Sequence, residues 1–223
     1  MSERAQHPAV PYASFDQQSG RHIVCLSHAL SAELVAMAAE DLRVRSELLA
    51  DGTLFVGYHP RMAEVHHRNA VRLSAIMEDI GWPTKTVVGA EAADAAWLVL
   101  QHSIGDPPVM RRGLALLADA VARGDAKPAQ LAMLEDRVRT LSGLPQRYGT
   151  QFDWDEQGTM SPKRLEDPDG VDARRAAVGL GPLRERIQEM RDAMAAEGAT
   201  PPTNLERRRE DIDAWERSVG WHP

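Results

Sequence analysis

AADAAWLVLQHSI (92–104) is the stretch whose reading decides the fold. After Asp94 it is almost unbroken apolar residues, and it ends in an adjacent Gln101-His102 pair. A helix apolar on every side belongs in the middle of a domain. It is about half the ~20 residues a bilayer span requires, so it reads as a central core helix. Two strongly polar side chains at its end must find partners or line a cavity.

Working outward, apolar residues recur at helical spacing in several further segments. Leu30, Leu34, Met37, Val44 and Leu48 mark a helix over about 29–49, closed by Asp51-Gly52. Met62, Val65, Leu73 and Ile76 mark a second over 61–80, stopped by Gly81-Trp82-Pro83. Helices over 109–123 and 129–141 follow the central one, which begins near Gly89. Then come 171–179, a segment opened by Pro182, and a last helix with Leu205, Ile212, Trp215 and Val219 on one side. Thr203 and Glu206 read as the capping box of that last helix. TLFVGYH (53–59) is the best strand candidate, and a short strand within 148–154 could pair with it. The expectation is a mainly α protein: a helical bundle with at most a small two-stranded β element and a C-terminal helical extension. Its parts are an N-terminal arm (1–28), a helical domain with a polar pocket (29–183) and the extension (184–223), which could also carry a homodimer contact.

The totals narrow the function. The chain has 223 residues, a net charge of −7 and one cysteine, Cys25. That excludes an internal disulfide framework and argues against a nucleic-acid partner. With no signal-peptide core and no membrane span, a cytoplasmic location is expected. Dinucleotide, phosphate-loop and GxSxG motifs are absent. Asp153-x-Asp155-x-Gln157-Gly158 starts like a calcium loop, but its twelfth position would be Arg164 where a glutamate is required.

Four helices carry polar residues on or beside their apolar stripes: Asp41/Arg45, His66/Asn69, Gln101/His102 and Asp136/Arg137. Bundles build ligand sites from such inward side chains on facing helices. If the sets converge, His102 or His66 would exchange a proton, oriented by Asp136 or Asp41, since imidazole titrates near neutral pH. Arg45, Arg137 and the amides of Asn69, Gln101, Gln146 and Gln151 would hold a small polar metabolite or peptide. Within the long loop over 142–170, the Gln146–Gln151 segment, with Tyr148, would close over the pocket. No cofactor is expected for this metal-independent acid–base chemistry. A mononuclear zinc or iron site built on His66, His102 and one or both of Asp41 and Asp136 is an alternative, although no HExxH-type motif is present. The other alternative is a non-catalytic interaction domain in which the same residues form buried structural networks. Taken alone, Asp41/Arg45 and Asp136/Arg137 read as ordinary surface ion pairs.

The order of pieces resembles an uncharacterised bacterial family, the domain of unknown function numbered 6624. The resemblance is carried by Asp41 and Arg45, GYHPRMAEVHHRNA (57–70), GWP (81–83) and VGAEAADAAWLVLQHSIGDP (88–107). It continues through LEDR (134–137), LPQRYGTQFDWDEQG (144–158) and LEDPDGVDARRAAVGLGPL (165–183). It covers about residues 30–185 and implies membership of a group, with no reaction to transfer. Two positions depart from the pattern: Met110 stands where a glutamine is expected, and Lys163-Arg164 where an apolar pair is usual. The first puts one polar contact in doubt.

Overall fold

A computed structural model describes residues 17–54 and 57–223. Among these the elements run α1 (Gln17–Ala50), α2 (Pro60–Ile80), α3 (Lys85–Val88), α4 (Ala90–His102), α5 (Pro107–Ala122) and α6 (Pro128–Leu141). A hairpin of β1 (Phe152–Trp154) and β2 (Met160–Pro162) follows, then α7 (Val171–Ala177), α8 (Leu183–Ala196) and α9 (Leu205–Val219). The protein is mainly α with one small antiparallel element, as the spacing indicates.

α4 is the central helix, and its most extensive packing is against α1. Alanines at 92, 95 and 96 on its buried side let the neighbouring backbones approach, while Val99 and Leu100 fill the core. α5 comes closest at Gly113, where a Cβ would lie 2.5 Å from Leu100 Cδ2. α2, α5 and α6 each begin on proline, whose fixed φ suits the first turn and whose missing N–H costs nothing there. The main core gathers Leu34, Leu73, Met77, Val99, Leu117 and Leu134, and Met110 is fully buried within it. A smaller cluster of Val44, Leu48, Met62 and Val65 lies at the other end of the α1–α2 pair. Between the two clusters, α1 and α2 present Asp41 and His66, both buried.

Four expectations change. α1 begins at Gln17, so residues 17–28 are helical, and the remainder of the expected arm, 1–16, lies outside the described residues. The strand expected at 53–59 is not one: its described residues are turn and bend, and Phe55 and Val56 lie outside them. β1 pairs with β2, Asp153 opposite Ser161, rather than with that segment. The cap of α9 is Asn204, whose Oδ1 accepts from Arg207 N at 2.8 Å, so the Thr203/Glu206 box is not the device used.

The C-terminal segment returns to the main body. Trp221 is buried in the main core, donates Nε1–H to Ile104 O at 2.7 Å and lies under the Arg111 guanidinium. Trp215 meets Tyr58 edge-on, ring centroids 5.2 Å apart.

Candidate functional site

Asp41, His66 and His102 come from α1, α2 and α4 and meet in one cluster. His102 Nδ1 lies 2.9 Å from both carboxylate oxygens of Asp41. Burial alone would raise the Asp41 carboxyl, but the hydrogen bond from His102 and the closeness of both imidazoles outweigh it and hold the pKa at about 2. An ionised carboxylate only accepts. His102 Nδ1 therefore carries the proton it donates, and in a neutral ring Nε2 bears the lone pair. Burial lowers the His102 pKa, against the pull of Asp41, and Arg137 pushes the same way as burial. Neutral imidazole is the ground state at pH 7.

His66 stands beside this pair, its ring centroid 5.1 Å from that of His102. Tyr58 Oη lies 2.8 Å from His66 Nδ1 and fixes the ring's other edge. Nε2 lies 3.3 Å from Asp41 Oδ2, yet it is buried and badly aligned, and makes no hydrogen bond. The sequence reading missed Tyr58, because it lies in the 53–59 segment that reads as a strand.

His102 keeps 23% of its side chain exposed, against 1% for Asp41, and it opens onto a cavity of about 200 Å³. Gln101, Arg137 and Gln151 line that cavity, as do Trp97, Leu98 and Met133. Arg137 donates from Nη1 to Gln101 O at 2.8 Å and from Nε to Gln151 Oε1 at 3.1 Å. Gln101 Oε1 is buried without a hydrogen-bond partner. Arg175, absent from the sequence candidates, also lines the cavity. Its signal was available: it lies one turn after Val171 on α7, and both are buried. A larger cavity of about 520 Å³ between the hairpin and α9 is lined by neither His66 nor His102 and carries both charges, among them Asp153, Lys163 and Arg209.

The remaining candidates sit elsewhere. Asp136 does not orient a histidine. It is fully buried and accepts from Arg147 N (2.6 Å), Tyr148 N (3.1 Å), Thr150 N (3.0 Å) and Thr150 Oγ1 (3.0 Å). Gly149, at φ 67° and with Leu183 Cδ1 2.7 Å from where a Cβ would be, lets the flanking amides converge on that carboxylate. Tyr148 therefore contributes its backbone, and its ring lies beside the Arg147 guanidinium, not in the His102 cavity. Gln146 is a buried strut, donating Nε2–H to Gln151 O and Lys163 O and accepting from Gln151 N. Asn69 ties α2 to Met37 O of α1 at 3.2 Å. Arg45 faces Glu197 at 3.5 Å, so neither Asp41/Arg45 nor Asp136/Arg137 is the surface pair that spacing alone indicates. Met110, in the core, leaves the cluster untouched.

No curated protein and no solved structure matches the chain. A family model does match, over residues 28–198, a span that holds the whole Asp41–His66–His102 cluster and the cavity beside it. The chain belongs to the family of unknown function DUF6624.

Proposed function

We propose that this protein is an enzyme-like domain that binds a small polar molecule in the cavity beside His102 and uses that imidazole as a metal-independent acid–base group. The observation that carries the reading is the buried Asp41 carboxylate accepting from His102 Nδ1 while the same ring borders the cavity. A carboxylate behind an imidazole fixes its tautomer and stabilises the imidazolium formed on proton uptake. His102 Nε2 is the base, Asp41 its positioning residue, and His66 with Tyr58 walls the far side. Gln101, Gln151 and Arg137 supply polar contacts to the ligand.

The test uses His102→Asn, because an Asn side-chain amide can still donate to Asp41 while the Nε2 position is lost. Wild type and variant are incubated with a panel of small polar metabolites, and consumption is followed by mass spectrometry. A compound turned over by wild type and spared by a folded His102→Asn supports the reading. Equal turnover by both refutes it.

A second reading is favoured by one observation, the buried His66 Nε2 without a partner. One ligand atom from each of Asp41, His66 and His102 lies within 4.8 Å of the others. Two imidazoles and a carboxylate suit zinc or ferrous iron. Metal analysis of protein purified without chelators separates the two: stoichiometric metal lost on Asp41→Ala favours the second, and metal-free protein with full turnover favours the first.

A further inference from the structure

We infer that the cavity beside His102 receives the oxyanion group, carboxylate or phosphate, of a small molecule, gripped by Arg137 and Arg175. The inference rests on reading this cavity as the ligand site, and it specifies what the ligand must carry.

The chain has a net charge of −7, yet the polar lining here is three arginines, a histidine, a threonine and two glutamines, with no carboxylate. Arg137 and Arg175 form no ion pair among the described residues. Their hydrogen bonds go to neutral carbonyls: Arg137 to Gln101 O and Gln151 Oε1, Arg175 to Gly181 O at 2.6 Å and Tyr148 O at 2.7 Å. Arg175 is buried, with 3% of its surface exposed. Asp172, Asp136 and Glu189 act on it only through space, and Arg186 opposes them. Arg186, at the rim, is already paired with Glu189 at 3.0 Å. Burial brings Arg137 down to about 10, so it is still cationic at pH 7.

A buried cation without a counter-ion is a large cost that folds seldom leave uncompensated. Arg175, buried, and Arg137, partly buried, line one cavity with no acid and make a seat for an anion. Guanidinium forks match carboxylate and phosphate oxygens bidentately, and hydrogen bonds to a charged acceptor are about twice as strong as neutral ones. The space restricts the rest of the ligand. At about 200 Å³ the cavity is smaller than the ~300–1,000 Å³ of drug-sized sites, which points to a compact metabolite of a few carbons.

The experiment is isothermal titration of the full-length protein with inorganic phosphate and, separately, acetate, at ionic strength held constant with chloride. Saturable binding of one of them is expected, and which one binds identifies the oxyanion. Arg137→Met and Arg175→Met should each weaken it at least tenfold, Arg175→Lys less, and Arg186→Gln least. His102→Asn should bind the anion within a few-fold of wild type even though it abolishes turnover. Loss of the acid–base reading therefore does not remove this result, nor the reverse. Absence of binding by both anions overturns the inference, as does unchanged affinity in the two methionine variants. If those variants do not fold, the arginine Nε–H signals of wild type provide the test. Shifts of the Arg137 and Arg175 signals on titration support the inference, and unmoved signals overturn it.

Discussion

Replacing Asp41 with asparagine removes one charge and little volume from the centre of the cluster, and its cost should depend on pH in a defined way. Asp41 has a folded pKa of about 2 against an ordinary 3.8. A group depressed on folding stabilises the native state above its unfolded pKa, and that stability is lost as pH falls through the folded value. At about 1.4 kcal/mol per pH unit the depression corresponds to roughly 2 kcal/mol. The direct count agrees. A hydrogen bond to a charged acceptor contributes about 1.5–3 kcal/mol, and the neutral bond that asparagine can still accept from His102 about 0.5–1.5. Urea unfolding of wild type and Asp41→Asn from pH 7 to pH 2 measures the difference, and the other carboxylates cancel in it. The account expects wild type to be more stable by about 2 kcal/mol at pH 7, a gap that closes between pH 4 and pH 2. A gap that is absent at pH 7, or that persists undiminished at pH 2, would refute the claim that the ionised carboxylate holds the imidazoles.

Three other substitutions probe the frame around the site. Asp136→Ala leaves the amides of Arg147, Tyr148 and Thr150 without their acceptor, so a loss above about 3 kcal/mol in urea unfolding is expected; a loss below 1 would show that the loop does not depend on it. Gly113→Ala pushes a methyl into Leu100 in the core. Overpacking of about 1–3 kcal/mol should outweigh the ~0.5–1 gained in helix propensity and lower the melting temperature. Tyr58→Phe removes the hydroxyl at His66 Nδ1 and should cost about 1 kcal/mol while shifting the His66 ring signals in NMR. Unmoved signals would place Tyr58 outside the cluster.

The helices were legible because apolar spacing reports which side of a segment is buried, and α2, α4, α5 and α6 follow it closely. The cluster was legible in part for the same reason. His66 and Asn69 share the inner side of α2, and Gln101-His102 ends α4, whose inner side holds Ala92, Ala95, Ala96, Val99 and Leu100 while Ala90 and Glu91 are exposed. Spacing does not say which polar residues meet across helices. Asp41 and Asp136 looked equivalent from the chain, each followed closely by an arginine. The fold gives one to two imidazoles and the other to three backbone amides of a loop that packs over α6. Tyr58 escaped because the apolar, aromatic-rich segment 53–59 reads as a strand, although Tyr58 itself lies in a bend leading into Pro60. Arg175 escaped because adjacent arginines on a short helix read as a solvated face. Its neighbour Arg174 does pair with Asp167, whereas Arg175 turns inward.

The most direct measurement of the central claim is the protonation state of His102, read from the ¹⁵N shifts and one-bond couplings of its ring at pH 7 in wild type and in Asp41→Asn. The account predicts a neutral ring in wild type, with the proton on Nδ1 and a pyridine-like Nε2, and loss of that single tautomer in the variant. A proton on Nε2 in wild type, or a tautomer mixture indifferent to Asp41, would contradict it.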